Sequence, residues 1–263
     1  MSKNKRSTFS GKLGFVLSAA GASVGLGNIW RFPYLAAKYG GGIFLLVYII
    51  LALTFGYTMI MAETSLGRMT KKSPVGAYQS FGKSKWLSLG GWINAIIPIL
   101  IVPYYSVIGG WVIKYLIGYF SGQAQTLASD TYFSAFISNG ASTEICFIVF
   151  TFCTLGIIYA GVQNGIERVS KFMMPVLVVL SVIIAIYSVT RPGALEGVKY
   201  FLVPNPANFS WMTVVSAMGQ MFYSLSIAMG ILITFGSYMK KDVSIEGSTK
   251  NVEIFDTAIA IMA

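Results

Sequence analysis

Residues 21–33, Gly-Ala-Ser-Val-Gly-Leu-Gly-Asn-Ile-Trp-Arg-Phe-Pro, interrupt the first apolar segment of the chain. Each of the three glycines Gly21, Gly25 and Gly27 weakens a helix by about 1 kcal/mol relative to alanine. In hydrocarbon, backbone N–H and C=O groups freed by such a break cost several kcal/mol apiece unless protein, water, an ion or a ligand satisfies them. We therefore expect the freed groups to bind something within a membrane.

The composition is that of an integral membrane protein. Hydrophobic residues make up 55% of the chain and charged residues 11%, against about 25% charged residues in soluble domains. The chain has no histidine, the commonest general base and metal ligand. Cys146 and Cys153 lie seven residues apart in one apolar run, about two helical turns, which is too far for a disulfide. We expect them to face lipid or to pack.

Apolar runs of spanning length make residues 1–263 a single transmembrane domain. Pro98 and Pro103 should kink or tilt the third run, which exceeds one perpendicular crossing. The last run, 254–263, is too short to span, which favours a fragment of a longer protein or a truncated product. The predicted spans are 12–38 (broken near 22–27), 42–68, 86–120, 143–161, 169–190, 212–240 (broken near 224–229) and an incomplete 252–263.

The net charge of +10 is a topology signal. Most of the 19 lysines and arginines lie in the N-terminal tail and in alternate loops, whereas the intervening loops hold only Arg191 and Lys199. The positive-inside rule then predicts a multi-pass protein of the cell membrane, inner or plasma, with a cytoplasmic N-terminus and no nucleic-acid partner. A cleavable signal peptide is disfavoured because the glycine-rich run continues directly into apolar sequence.

A second interruption occurs at 219–230, Gly-Gln-Met-Phe-Tyr-Ser-Leu-Ser-Ile-Ala-Met-Gly, in the sixth apolar run. Alone, its serines and glycines are typical of ordinary helix contacts in membranes. Paired with the first interruption, they match two repeats of opposite topology that build a site at their interface. Half-helix N-termini would then attract an anionic group, and freed carbonyls would coordinate cations.

These motifs closely resemble the neurotransmitter:sodium symporter family over essentially the whole chain. The matching residues are Gly25-Leu-Gly-Asn28, Arg31-Phe-Pro-Tyr34, Gly40–Gly42, Glu63, Gly219-Gln220, Ser224-Leu-Ser226 and Lys240-Lys-Asp242. The resemblance implies an all-α, leucine-transporter-like fold with discontinuous transmembrane helices 1 and 6, of which the chain holds the first inverted repeat and the start of the second. It implies a sodium-coupled symporter that imports a neutral amino acid by alternating access, and no enzyme.

Two sodium sites follow from the resemblance. The backbone carbonyls of Gly21 and Val24 look like ligands of one ion, completed by an eighth span. The Ser23 carbonyl, the Asn28 amide oxygen and Ser224 look like ligands of the second, which would also touch the substrate carboxylate. The alternatives are that Ser23 only packs and that Asn28 only caps the second half-helix.

Chloride use stays open at this point. Tyr48, Gln220 and Ser224 resemble three of the chloride ligands of chloride-dependent members, but we expect the deciding position of the seventh span to lie beyond Ala263. Glu63, an intramembrane carboxylate, resembles a residue that supports the first-span break through hydrogen bonds from outside the site. A proton relay is the rival role for it.

The resemblance also implies an amino-acid site. Carriers of monoamines have an aspartate where this chain has Gly25, so the glycine leaves room for a substrate with its own carboxylate. Met229 is polarizable and suits a bulky apolar or aromatic side chain. The implied contacts are the Leu26 and Gly27 amides and the Tyr105 hydroxyl for the carboxylate; Ser23, Tyr223, Ser224 and Ser226 for the ammonium; and Ile101, Tyr105, Tyr223 and Met229 for the side chain.

Two gates complete the implied transporter. Arg31, near Gln220, would gate the outer side above an aromatic lid of Tyr105 and Tyr223; snorkelling to the interface is the alternative for Arg31. The implied inner gate consists of Arg6, Phe9 and Tyr238, although Arg6 also fits a purely topogenic charge.

Other function classes are weaker. A transport-inactive fragment, or a non-transporting amino-acid sensor of the same fold, would share the site. A passive channel would differ from both by unsaturable current. An intramembrane enzyme with Ser23, Ser224 or Ser226 as nucleophile lacks a base, because no histidine and no deep lysine is present.

Overall fold

The computed structural model describes residues 8–263, which are helical throughout their regular structure. In chain order the helices are α1 (Lys12–Ser23), α2 (Gly27–Lys38), α3 (Gly42–Thr70), α4 (Pro74–Gln79), α5 (Lys85–Phe120), α6 (Ala124–Leu127), α7 (Tyr132–Ser138), α8 (Gly140–Tyr159), α9 (Val162–Val189), α10 (Ala194–Leu202), α11 (Trp211–Ser224), α12 (Ile231–Tyr238) and α13 (Ile245–Met262). Wider π-helical turns occur at the start of α2, inside α3 and at the start of α9.

Among the described residues, four helices are long and apolar enough to cross a membrane by themselves: α3, α5, α8 and α9. The pair α1 and α2 passes the same test as one broken span, with a bend of 46° between its halves. α5 runs 36 residues without interruption and contains both Pro98 and Pro103.

The first break is short and built on glycine. α1 ends at Ser23, and Val24 has an extended backbone with φ −78° and ψ 111°. α2 then begins with a π-helical turn, in which the amides of Asn28 and Ile29 both donate to the carbonyl of Gly25 at 3.1 Å. The chain thus loses helical bonding for only a few residues before it resumes in a new direction.

The second break lies between α11 and α12 and contains left-handed residues. Ser226 has φ 54°, Ala228 has φ 61° and Gly230 has φ 67°. A side chain at such angles costs of order 1–3 kcal/mol, so the surroundings must impose the conformation. The Ser226 hydroxyl donates to the carbonyl of Ala22 at 3.1 Å, and the Ala228 amide donates to Oε1 of Glu63 at 2.7 Å.

Small residues let α12 approach α3 with backbone against backbone. A Cβ on Gly67 would lie 1.9 Å from the carbonyl oxygen of Ile233, and one on Gly236 would lie 2.4 Å from that of Thr64. Such close contacts are typical of membrane helices, where small side chains replace a hydrophobic driving force. This packing sets α12 firmly beside α3, one turn from the second break.

The last helix begins earlier than the hydrophobic pattern indicated. α13 starts at Ile245, where the Ser244 hydroxyl accepts a hydrogen bond from the Gly247 amide at 3.2 Å, rather than near Val252. Its buried face is partly polar, which hides the helix from a purely apolar search. That face carries Asp256, which becomes part of the site below.

Candidate functional site

The two breaks meet at the centre of the molecule. Gly27 lies so close to α11 that a Cβ there would be 3.1 Å from Cδ1 of Tyr223. Ser226 holds Ala22 by the hydrogen bond described above. Gln220 donates from Nε2 to the carbonyl of Gly27 at 2.8 Å, so side chains of α11 and of the second break bind backbone carbonyls at the first break.

A fully buried carboxylate joins both breaks to α13. Asp256 has an exposed fraction of 0%. The Asn28 side-chain amide donates to its Oδ1 at 2.9 Å and to its backbone carbonyl at 3.0 Å. The Ser224 hydroxyl lies 3.1 Å from Oδ1 and 3.0 Å from Oδ2, and the Tyr48 hydroxyl donates to Oδ2 at 3.3 Å. The hydrogen bonds to the carboxylate thus all come from uncharged groups.

This cluster has the chemistry of a site for a hard monovalent cation. The Asn28 amide oxygen lies 3.2 Å from the Ser224 hydroxyl, which already lies against the Asp256 carboxylate. Carboxylate, amide and hydroxyl oxygens are the donors that hard cations prefer. A carboxylate buried in a membrane without a cationic partner is expensive, and its presence indicates a functional role.

Asp256 is the functional residue that sequence reasoning missed. The deciding position of the seventh span was expected beyond Ala263, yet α13 already brings the Asp256 carboxylate against Tyr48 and Ser224. The sequence did contain a signal, because Asp256 is an acidic residue inside an apolar run, and such a residue is a candidate site residue by default.

The residues expected at the other sodium site, Gly21 and Val24, lie near α9. A Cβ on Gly21 would be 3.4 Å from both Oγ of Ser170 and Sδ of Met174, both on α9. Val24 is buried in the same small cluster as Met174. The side chain of Ser23 donates to the carbonyl of Ala19 at 3.1 Å, so its hydroxyl is engaged within α1.

Open space lies beside the first break. A Cβ added to Gly25 would meet no atom within 4 Å, in contrast to Gly27 two residues later. Leu26 lines a cavity of about 470 Å³ together with Trp30 and Ile108. Ile101 and Met229 are both half-buried, on α5 and in the second break.

An aromatic layer covers one side of the site. The rings of Tyr105 and Tyr223 have centroids 6.3 Å apart, and the guanidinium of Arg31 lies 4.8 Å from the centroid of the Tyr223 ring. Arg31 therefore forms a cation–π contact with Tyr223, whose ring lies beside that of Tyr105. The hydrogen bond of Gln220 goes to Gly27 rather than to Arg31.

The N-terminal side of the site is closed by aromatic packing. Phe9 is buried, and its ring packs edge-on against Phe15, Phe235 and Tyr238 at centroid distances of 5.7, 5.7 and 6.5 Å. Its amide donates to the carbonyl of Tyr238 at 3.2 Å. Arg6, the third residue expected here, lies outside the described residues.

Glu63 acts on a different break from the one the resemblance implied. Its Oε1 accepts the Ala228 amide in the second break, and its Oε2 is buried without a hydrogen-bond partner among the described residues. Glu63 thus stabilises the left-handed backbone next to Ser226.

Residues 6–139 and 118–263 match the sodium:neurotransmitter symporter family. The chain belongs to this family. It is 35% identical to the uncharacterized sodium-dependent transporter YhdH of Bacillus subtilis over 100% of this chain and 59% of that protein. It is 34% identical to the uncharacterized sodium-dependent transporter MJ1319 of Methanocaldococcus jannaschii, over 100% of this chain and 55% of that protein.

A solved structure shows the same architecture. The crystal structure of MhsT in complex with L-phenylalanine matches 98% of this chain and 59% of that chain, with a TM-score of 0.91 and 37% sequence identity. The all-α, leucine-transporter-like fold with two discontinuous helices is therefore confirmed. The chain spans about 59% of the length of YhdH and of MhsT.

Membership of the symporter family establishes the general class of this protein. It is a membrane protein of a sodium-dependent transporter family, and the family is one of transporters rather than enzymes, as expected. Sodium is accordingly an ion that the family uses.

Proposed function

We propose that the whole protein imports a neutral amino acid with a bulky apolar or aromatic side chain, together with sodium, by alternating access. One observation carries the proposal: the buried carboxylate of Asp256 ties Asn28 of the first break to Ser224 of the second. A cation bound among these oxygens neutralises the carboxylate and fastens three helices at once. Sodium therefore stabilises the closed arrangement of the two breaks and couples its own gradient to that state.

We assign one sodium ion to the Asp256 carboxylate, the Asn28 amide oxygen, Ser224 and the carbonyl of Ser23. The carbonyls of Gly21 and Val24 remain the proposed ligands of a second ion. With these oxygens engaged by cations, the helix that begins at Gly27 presents its positive N-terminal end to an anionic group.

The substrate carboxylate is proposed to lie against the amides of Leu26 and Gly27 and the Tyr105 hydroxyl, in the open space beside Gly25. Its ammonium then faces Ser23, Tyr223, Ser224 and Ser226, and its side chain faces Ile101, Tyr105, Tyr223 and Met229. The phenylalanine bound to MhsT supports an aromatic substrate, and the family's neutral amino-acid transporters support the wider class.

We further propose that transport does not need chloride. Tyr48 and Ser224, two of the three residues that resemble chloride ligands, already contact the carboxylate of Asp256. A chloride about 4 Å from that carboxylate would be repelled by about 4 kcal/mol at an effective dielectric constant of about 20. The fixed negative charge thus replaces the anion.

The proposed topology places the N-terminus in the cytoplasm and the connection that holds Arg191 and Lys199 outside the cell membrane. Arg31, Tyr105 and Tyr223 then form the outer gate, with Gln220 beneath it, and Phe9 and Tyr238 form the inner gate. The resemblance adds Arg6, which lies outside the described residues, to this inner gate.

Uptake of radiolabelled phenylalanine into proteoliposomes tests the proposal. An inward sodium gradient should drive accumulation whether the anion is chloride or gluconate, and replacement of sodium by choline should abolish it. Uptake that does not depend on sodium would contradict the proposed coupling mechanism. Saturable sodium-dependent binding without flux would instead indicate a non-transporting sensor; one relative, human B(0)AT3, is described as inactive.

A further inference from the structure

We propose that Glu167 is a positioning residue that fastens the N-terminal end of α1 to α9 and so holds the inner gate closed. The residues involved, called the Glu167 latch below, are Ser10, Gly14, Glu167, Lys171 and Lys240. The inference rests on the proposed function for the inner gate, for the inward opening and for the assignment of this side of the protein to the cytoplasm.

Both oxygens of the Glu167 carboxylate hold the segment before α1. The Ser10 amide donates to Oε2 at 2.8 Å, and the Ser10 hydroxyl donates to Oε1. The ammonium of Lys171 lies 2.6 Å from Oε1 and 3.1 Å from the Ser10 hydroxyl oxygen. Hydrogen bonds to charged groups are about twice as strong as those between neutral groups, so the bonds of the Glu167 carboxylate to Ser10 are stronger than neutral hydrogen bonds would be.

The carboxylate is also enclosed by close packing. Glu167 has an exposed fraction of 1% although it is ionisable. A Cβ on Gly14 would lie 2.3 Å from its Oε1, so only a glycine in the first turn of α1 lets the carboxylate reach Ser10. Glu167 ends the π-helical turn that begins α9, and such turns are frequent at functional sites.

A second contact holds the same residue from another helix. Lys240, which follows α12, donates to the Ser10 carbonyl at 2.8 Å. The amide, hydroxyl and carbonyl of Ser10 are therefore all held by side chains from α9 or from the segment after α12. Its neighbour Phe9 is the residue packed in the inner gate.

The latch lies at the end of α1 that is far from the first break. α1 is separated from α2 by the break at Val24, which leaves α1 free to pivot there once its other end is released. Twelve residues of helix place that other end about 18 Å from the pivot. A pivot of α1 about this point must therefore break the bonds of Ser10 and expose its polar groups to water.

Three variants separate the latch from ordinary stability. Glu167→Gln removes the charge but keeps the shape, and Gly14→Ala wedges α1 away while the carboxylate remains. The double change Glu167→Lys with Lys171→Glu keeps an ion pair within α9 but gives Ser10 no carboxylate at position 167. Gly156→Ala is the matched control, because a Cβ there meets no atom within 4 Å.

The opening is read by thiol labelling of the native protein in detergent. Ser18, which is buried in α1, is replaced by cysteine in a background where Cys146 and Cys153 are alanine. Without substrate, we expect a charged methanethiosulfonate to label position 18 about tenfold faster in Glu167→Gln, in Gly14→Ala and in the charge-swapped variant. Gly156→Ala should match the parent.

Uptake kinetics supply the second readout. If the latch sets the population of the closed state, its loss raises the sodium concentration for half-maximal uptake by about the same tenfold and leaves the maximal rate of folded protein unchanged. A lower maximal rate with unchanged sodium dependence would mean a structural role only and would overturn the proposal.

Parental labelling rates in both Glu167→Gln and Gly14→Ala would also overturn it, as would parental behaviour of the charge-swapped variant. If either Glu167→Gln or Gly14→Ala fails to fold, the labelling rate of the one that folds decides. The labelling needs no transported substrate, so a failure to find uptake of any amino acid would contradict the proposed function and leave the test of the latch intact.

Discussion

The two breaks of this chain reach an unwound backbone by opposite means. The first break follows from its own glycines, which weaken a helix, and its residue Val24 has an ordinary extended conformation. The second holds Ser226 and Ala228 in left-handed conformations that their side chains disfavour. The first break is therefore permitted by its own residues, whereas the second is imposed by its neighbours.

The neighbours that impose the second break are identifiable. Glu63 binds the amide of Ala228, and the carbonyl of Ala22 binds the hydroxyl of Ser226. The second break thus depends on α3 and on the first break, while the first break contacts the second through Ala22, Gly27 and Asn28. Variants can therefore loosen the second break without touching the glycines of the first.

The largest effect on ligand binding is expected at Asp256, because both breaks depend on its carboxylate. Asp256→Asn removes the charge that binds Asn28 and Ser224 and that would bind sodium. We expect sodium-dependent phenylalanine binding to weaken at least about 100-fold, because a buried charged contact is worth about 3 kcal/mol or more. Binding is measured by scintillation proximity across a sodium titration. An unchanged sodium dependence would show that the cation binds elsewhere.

A pair of alanine substitutions separates ligand space from contact between the breaks. In Gly25→Ala the Cβ enters open space, so we expect normal thermal stability and about tenfold weaker phenylalanine binding from lost room for the carboxylate. In Gly27→Ala the Cβ lies 3.1 Å from Tyr223, so both stability and binding should fall. Unfolding in detergent and isothermal titration give the two quantities. Equal stability losses in both variants would contradict this reading of the first break.

The contrast between the breaks also explains what the sequence predicted. Glycine content revealed the first break, and the pairing of Asn28 with Ser224 was anticipated through the family resemblance. The left-handed angles of Ser226 and Ala228 were invisible, because tertiary contacts impose them against local preference. Asp256 was missed although it lies inside the predicted last run, because only the fold brings its partners Asn28, Tyr48 and Ser224 to it. The bonds of Glu167 to Ser10 likewise join residues 157 positions apart that carry no shared pattern.

Glu63 gives an intermediate effect confined to the second break. Glu63→Gln keeps an acceptor for the Ala228 amide but removes the charge, so we expect a loss of about 1–2 kcal/mol of stability. For a protein of this size that lowers the melting temperature by about 2–4 °C per kcal/mol. Sodium affinity should change less than in Asp256→Asn, because Glu63 does not contact Asn28 or Ser224 in the hydrogen bonds described. If Glu63 were a proton relay instead, the variant would abolish the pH dependence of uptake at unchanged stability.

The smallest expected effect is a change in stability, and it is a gain rather than a loss. Ala228→Gly relieves a left-handed conformation with φ 61° and keeps the backbone amide that Glu63 accepts. We expect a gain of up to about 1 kcal/mol, less the extra entropy of glycine in the unfolded chain. Ala95→Gly, in the interior of α5, is the matched control and should lose about 1 kcal/mol, because glycine disfavours a helix. Melting of both variants in detergent decides the matter: if Ala228→Gly loses as much as Ala95→Gly, the second break is not strained at this residue and its neighbours impose nothing on it.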